Sequence, residues 1–529
     1  MDLTIENFKG IKRFEYRDFK PLTILSGINS GGKTSLIQSV LLLKQSMEFG
    51  NQDMPVVLNG KYTRLGSIDN VVHRGQSEIS IGITIKSHPK INRICSRKIQ
   101  IANYILQRDN SGNNSRKSIT ADSVSYKLTF GERNQSDIPR IKELTLTIRD
   151  STGFNHILVL TNSRTNSYRI KTNSILFVQL PFNFSPKLLK NLVTSEDKLF
   201  TNQNNDLLSA LLENNDETKL FQLDNQNFVF NNLKICPVSE EDDFYHRKLT
   251  MNISKLDVEL SNELISKSLD TFSNINFIGP LREEPRTLYF KETDIIDDIG
   301  IRGENAGFLF AKNNSQLVFC PKIDKKALTI TSEEMKLEDA INYWMNEQFH
   351  LAKSLTVNKY KNNNIYEIEV INYQNIKTSI SSVGFGISQI FPIMVSSLLS
   401  DEDSLLILEQ PEIHLHPAVQ SLLFDFLYGL SYISPNKKIL VETHSDHLIN
   451  KYRIFKIKQS NHVDEETAVF FTNPDESTLQ KVEFDNFGNL SQWPQGFFDQ
   501  SAIDNKTIFE MQLNKRLNSY DHSSEKDRM

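Results

Sequence analysis

The stretch "LTILSGINSGGKTSLIQSVLLLKQSMEFG", Leu22 to Gly50, decides the fold. Its first part is a short apolar run ending in glycine, the pattern of a buried strand. Its last part carries apolar residues at helical spacing and stops at Gly50. Between them "GINSGGKT", Gly27 to Thr34, fits G-x-x-x-x-G-K-[ST], with a strand before it and a helix after it. Each residue type has a reason. Glycines let backbone N–H groups turn inward around phosphate oxygens, where a β-carbon would obstruct them. The helix start adds partial positive charge. The expected nucleotide-binding set is therefore Gly27, Asn29, Ser30, Gly31, Gly32, Lys33, Thr34 and Ser35. Lys33 supplies a point charge to the β- and γ-phosphates, and the Thr34 hydroxyl ligates magnesium.

A second stretch, "LLILEQPEIHLHP" from Leu405 to Pro417, runs an apolar strand into an acid. A buried unpaired carboxylate is costly, so a metal or its water is the natural partner, and Glu409 is the expected metal-side carboxylate. Its neighbour Gln410 is an amide. It takes up no proton near neutral pH and so is no general base, although its carbonyl oxygen can orient a water. Glu412 has two readings: a substitute base that swings to the γ-phosphate, or an acid on the first turn of the next helix, where acids are favoured. His414 and His416 are two apart, which suits neither one helix face nor a zinc pattern, so loop packing and capping are expected of them.

Two further segments accompany these. "SSVGFGISQIFPIMVSSLLS" sets Ser382, Gly384 and Gly386 before a helix-forming run, where hydroxyl and backbone donors can meet a phosphate. "KKILVETHSDHLINKYR" is a strand followed by His444, placed to bond the γ-phosphate; His447 belongs to the following helix. The apolar runs "LLILE", "KKILVET" and "TAVFFTN", separated by helices, read as a parallel sheet.

Around this core lie 529 residues, room for two or three domains, with 38% hydrophobic and 24% charged residues, so wholesale disorder is not expected. A net charge of −5 argues against a nucleic-acid grip over the whole surface. Cys95, Cys236 and Cys320 form no metal spacing and no disulfide framework, which fits the reducing cytoplasm. There is no signal pattern and no run of about 18 apolar residues, so no membrane span is expected. From about 88 to 260, strand-like pieces ("SVSYKLTF", "IKELTLTIRD", "NHILVLTN") alternate with Asn-rich loops, an antiparallel insertion with a helix near "SEDKLFTNQNNDLLSALLEN". No heptad pattern persists, so long coiled-coil arms are not expected.

The order of phosphate loop, Ser/Gly segment, carboxylate strand and strand-plus-histidine resembles the ABC-type ATPase head of the RecF, SMC and OLD (overcoming lysogenization defect) group. "NFKG", "LSGINSGGKTSLIQSV", "SVGFGISQIFPI", "LEQPEIHLHP" and "VETHSDHLIN" carry that resemblance. It is tightest to a bacterial branch of AAA-type ATPases that also has "GPLREEPR", the "LNGKYTRLG" turn and a closing "WPQGFFDQ"; within that branch the chain resembles the Septu-type ATPase subunit of anti-phage defence. The resemblance covers roughly residues 1–85 and 270–505. It implies an α/β fold: an ABC-type P-loop head with a mixed or parallel central sheet and an antiparallel β lobe, plus an inserted α+β subdomain. The implied parts are 1–87 and 266–480 for the two halves of the head, 88–265 for the insertion, and 481–529 for a C-terminal hairpin and helix.

The resemblance also implies a mechanism. ATP and magnesium glue two copies into a homodimer or higher oligomer, with Ser382 and Gly384 acting in trans on the partner's nucleotide. Glu409, Gln410, Glu412 and His444 form the hydrolytic set. An amide at 410 implies slow turnover of an ATP-gated clamp. A separate effector, a nuclease, would act beside it in defence, since no Asp-x-Asp site follows His444. The alternatives are a RecF-like DNA-end-binding ATPase and a non-enzymatic ATP-bound scaffold. Gln76 is the nominal Q-loop residue. Arg282 and Arg286 face phosphate or nucleic acid, or form structural ion pairs, the latter being favoured.

Overall fold

The computed structural model describes residues 1–27, 32–50, 54–87, 91–98, 120–133, 136–162, 168–177, 221–223, 226–229, 234–237, 260, 263–264, 266–267, 274–290, 298–360, 365–459, 461–473, 478–490, 504–513 and 515. The helix expected near residue 200, the Asn-rich loops at 108–118 and 201–217, and "WPQGFFDQ" lie outside these residues.

The phosphate-loop strand, Leu22–Gly27, lies inside a six-stranded sheet. The order across it is Ile275–Ile278, Leu405–Glu409, Lys438–Glu442, Leu22–Gly27, Thr467–Asn473 and Thr478–Val482. Every pairing is parallel except the last. The strand bearing Glu442 thus separates the phosphate-loop strand from the strand bearing Glu409.

The apolar runs are continuous because this sheet is covered on both faces. Side chains alternate between the faces with period two. Leu25, Leu405, Ile407 and Leu440 join one core, while Leu22, Ile24, Leu406, Leu408 and Val441 join the other. The first core also holds Leu36, Ile37, Val40 and Leu41 of the helix Lys33–Phe49. The second holds the buried faces of the helices Phe385–Leu399, Pro417–Ile433 and Asp446–Gln459.

Beyond the helix Lys33–Phe49, an eight-stranded antiparallel sheet closes the first core through Leu3, Ile5, Phe8, Ile79, Ile81 and Leu128. It begins with Asp2–Phe8, Ile11–Tyr16 and Glu78–Lys86 and continues without a break into Ala121–Arg133, Ser136–Asp150, Asn155–Asn162, Tyr168–Thr172 and Phe221–Leu223. The antiparallel strands expected after residue 120 are therefore extensions of the N-terminal sheet. The expected fold class is the one found: α/β, with a mixed central sheet and an antiparallel β lobe. The "LNGKYTRLG" turn is held from below by buried Gln45, whose Oε1 accepts the Tyr62 and Thr63 N–H groups at 3.2 and 3.0 Å. The stretch "LEDAINYWMNEQF" forms the helix Leu337–Asn342 and runs on as a π-helix, Tyr343–Gln348.

Lys437, just before the Glu442 strand, is 4% exposed and donates to the Ser397 carbonyl at 2.9 Å. Burial pushes its ammonium down to about 8, against the pull of Asp401 and Glu402. Between pH 8 and its ordinary range the unfolded chain binds a proton that the folded chain does not, so stability should rise with pH there. Lys437→Met is expected to gain about 1–2 kcal/mol at pH 7, once the lost bond to Ser397 is set against the relieved desolvation, and to flatten that rise. Thermal unfolding at pH 7 and 9.5 checks it; an unchanged pH slope would sink the argument.

Candidate functional site

Three parallel strands end side by side at Gly27, Glu409 and Glu442, and the register pairs Glu409 with Glu442 and Glu442 with Leu25. Gly27 turns the chain out of its strand with φ 130°, and a β-carbon there would lie 2.4 Å from Thr472 Oγ1 and 2.8 Å from the Thr472 nitrogen. Only glycine meets both conditions. Gly32 restarts the chain as the cap of the following helix, with φ 97°. Asn29, Ser30 and Gly31 lie outside the described residues.

Lys33 is 3% exposed, and its ammonium donates to the Gly27 carbonyl at 2.8 Å. Burial lowers its pKa, while the Glu442 carboxylate acts the other way. The Thr34 side chain is exposed at the site, and its hydroxyl donates to the Glu442 carboxylate, with Oε1 at 2.9 Å and Oε2 at 3.2 Å. Ser35 is half-buried on the same helical turn.

Glu409 is half-buried, and its carboxyl is pushed up to about 8 by burial and then by the charge of Glu442. The turn that follows it is fixed at both backbone groups. The Gln410 N–H donates to the Glu442 carbonyl at 2.8 Å. The Arg282 guanidinium donates to the Glu409 and Gln410 carbonyls at 2.9 and 3.1 Å. Gln410 itself sits at φ 44°, which a free chain seldom visits. Arg282 is 5% exposed and burial brings its pKa down to about 10, with Glu412 opposing. Its role is to hold the end of the carboxylate strand. Arg286 pairs with Glu283 at 3.1 Å on the surface.

Glu412 corrects one expectation. It is not on the first turn of the next helix, which begins at Pro417 with His416 as its cap. It is 7% exposed, and its Oε1 accepts the His444 backbone N–H at 2.7 Å. Burial raises its carboxyl; the His444 N–H, the Thr443 hydroxyl and Arg282 act against that. So engaged, it positions the histidine turn. His416 Nδ1 accepts the Ala418 N–H at 3.2 Å, and His414 packs on Phe385 with ring centroids 5.8 Å apart, as the capping and packing reading expects.

The His444 imidazole is exposed beside the Gly27 carbonyl and Lys33. Burial of part of the ring, then the Lys33 charge, lowers its pKa, against the hydrogen bond to the Gly27 carbonyl. His447 lies in the following helix, 3.7 Å from Asp446. Ser382 and Gly384 are exposed and Gly386 is half-buried at the start of the helix Phe385–Leu399. Gly384 caps the helix Phe385–Leu399 without a side-chain cap, has open space where a β-carbon would sit, and precedes Phe385, which is 61% exposed. Gln76 is exposed in a turn closed by His73.

Glu442 is the site residue that sequence reasoning missed. The signal was present: "KILVE" repeats the apolar-run-then-acid pattern of "LLILE". The donors in the cluster are all oxygens: a hydroxyl, a half-buried carboxyl and a second carboxylate behind them. Among the described residues, no three His, Cys, Asp or Glu side chains are grouped so as to hold a metal by themselves. That suits magnesium, which takes one or two carboxylates and completes its shell with phosphate and water. Thr34 and Glu409 would hold it, and its charge would offset part of that of the adjacent carboxylates and the phosphates.

A family described as AAA ATPase domain matches residues 1–449, and one described as protein of unknown function (DUF3696) matches residues 464–507. No curated protein matches the chain. Among solved structures, the chain is similar to an SMC head domain from Thermotoga maritima, at 10% identity over 93% of this chain and 97% of that one, with a TM-score of 0.29. It is similar to an SMC head bound to the C-winged helix domain of ScpA, at 10% identity, 92% and 97% coverage and a TM-score of 0.34. A third is an Smc head with an extended coiled coil bound to the C-terminal domain of ScpA, from Pyrococcus furiosus, at 10% identity, 92% and 96% coverage and a TM-score of 0.31. At these scores the likenesses add nothing to the fold read from the strand order. No described helix is long and apolar enough to cross a membrane.

Proposed function

The chain belongs to the AAA ATPase domain family, and from that membership we propose that it binds ATP with magnesium, pairs with a second copy through the nucleotide, and cleaves it slowly. One observation carries the pairing. Lys33 and Thr34 stand beside Gly27 and Glu442 at the strand ends, while Gly384, the exposed cap of the helix Phe385–Leu399, has no atom within 4 Å of where a β-carbon would sit. A helix start with bare N–H groups attracts anions. A second copy can bring that helix start to the nucleotide held by the first, which links association to ATP. The amide of Gln410 supports slow cleavage, because general-base catalysis contributes about 10²–10⁴-fold. By the same reading the closed dimer gates a separate effector, a nuclease, in anti-phage defence, as in the Septu-type systems; sequence resemblance alone supports that part.

Light scattering on the purified chain with and without ATP and magnesium tests the proposal. The mass should double with ATP and return when ATP is removed. Gly384→Glu is expected to fold, since no atom lies within 4 Å of the added β-carbon, to bind ATP as the parent does, and to stay monomeric. ATP-dependent pairing that survives this charge would sink the proposed interface.

A further inference from the structure

We infer that Glu442 is the positioning carboxylate of the metal site: it accepts the hydrogen bond of the Thr34 hydroxyl and, with Glu409, gives the site its second negative charge. This rests on the nucleotide-binding reading above and adds a residue to it.

The placement follows from strand register. Leu405–Glu409 and Lys438–Glu442 are both five-residue strands, parallel and paired from Leu405–Lys438 to Glu409–Glu442. Their acids leave the sheet at the same edge, on strands about 4.8 Å apart. The other neighbour of the Glu442 strand is the phosphate-loop strand, so Glu442 alone of the two acids lies next to the start of the helix that carries Thr34.

The hydrogen bond then fixes the role. A threonine hydroxyl has one proton and two lone pairs. A carboxylate only accepts, so with Glu442 Oε1 at 2.9 Å and Oε2 at 3.2 Å the Thr34 proton is directed into the protein. The lone pairs are left facing outward, toward the exposed side of Thr34, which is the orientation a cation needs. Glu442 itself is 3% exposed and stands behind Thr34, whereas Glu409 is half-buried and open to the site. The division is therefore an inner pair, Thr34 and Glu409, and an outer carboxylate, Glu442. Partners of this kind set ligand orientation and basicity, and their loss costs metal affinity about 10–100-fold.

The test separates metal from nucleotide. Binding of a fluorescent ATP analogue is measured with EDTA and across a magnesium titration. Bound manganese is counted by electron paramagnetic resonance in the presence of a non-hydrolysable ATP analogue. Glu442→Gln keeps an acceptor oxygen for Thr34 but removes the charge; Glu442→Ala removes both; Glu442→Asp keeps the charge but draws it back by one methylene. The expected result for Glu442→Gln is metal-free nucleotide affinity no weaker than the parent's, since a negative charge near the phosphates is removed, and a metal requirement raised about 10–100-fold. Glu442→Ala should be worse, and Glu442→Asp should recover part of the loss. Metal requirements for Glu442→Gln and Glu442→Ala within twofold of the parent overturn the inference, as does an unfolded Glu442→Gln accompanied by a folded Glu442→Asp of parental metal requirement. A parent chain that binds no nucleotide overturns the earlier reading, and this one with it; a parent that binds nucleotide with variants of unchanged metal requirement overturns this one alone.

Discussion

Lys33→Ala is expected to cut ATP affinity by roughly 10²-fold or more and to bring hydrolysis to background, with the fold retained. The ammonium is the positive charge placed at the centre of the site, 2.8 Å from the Gly27 carbonyl and beside Glu442 and His444. Without it, a triphosphate would approach Glu409 and Glu442 with no ammonium to offset them. Truncating one member of a buried charge contact costs about 2–5 kcal/mol, and each 1.4 kcal/mol is a factor of ten. The helix that carries Lys33 is anchored by Leu36, Ile37, Val40 and Leu41, which the substitution does not touch. Isothermal titration calorimetry gives the answer, with circular dichroism as the control for folding. An affinity within threefold of the parent would mean that residues 27–34 do not hold the triphosphate.

Gln410→Glu should speed single-turnover ATP cleavage by about 10²–10⁴-fold, the range a general base contributes. The substitution is nearly isosteric, and the backbone is already pinned from both sides by the Glu442 carbonyl and Arg282, so the new carboxylate takes the place of the amide. Glu412→Gln serves as the contrast. Glu412 is committed to the His444 N–H at 2.7 Å and does not swing toward phosphate without releasing that turn. A glutamine carbonyl can keep that bond, so cleavage should fall by less than about tenfold. Rapid-quench measurements on both variants decide the matter. If Gln410→Glu leaves the rate unchanged while Glu412→Gln abolishes cleavage, Glu412 is the base and the slow-clamp reading fails.

How far the residues spoke for themselves varies along the chain. The strand Leu22–Gly27 and the helix Lys33–Phe49 on either side of the glycine loop were legible because their periodicities lie in adjacent residues. The strand that ends in Glu409 was legible for the same reason. The capping of His416 and the packing of His414 also came from short-range pattern, since a spacing of two suits neither one helix face nor a zinc pattern.

Glu442 was not, although its own strand has the same form as that of Glu409. Its importance lies in which strand sits next to which, and the Thr34–Glu442 bond spans 408 positions of chain. Arg282 reaches 127 residues along the chain to the Glu409 carbonyl, and that contact turned an arginine with two readings into a clamp on the carboxylate strand. Glu412 could be read as a base or as a first-turn acid of the next helix until its bond to the His444 N–H placed it under that turn.

The amino-acid order by itself determined the elements on either side of the glycine loop and pointed to an ATPase family, because hydrophobic period and turn chemistry act over a few residues. The tertiary structure decided which acids meet at the site, which of them face it and which stand behind, because parallel strand pairing joins segments hundreds of residues apart, and no local pattern records the order in which they lie side by side.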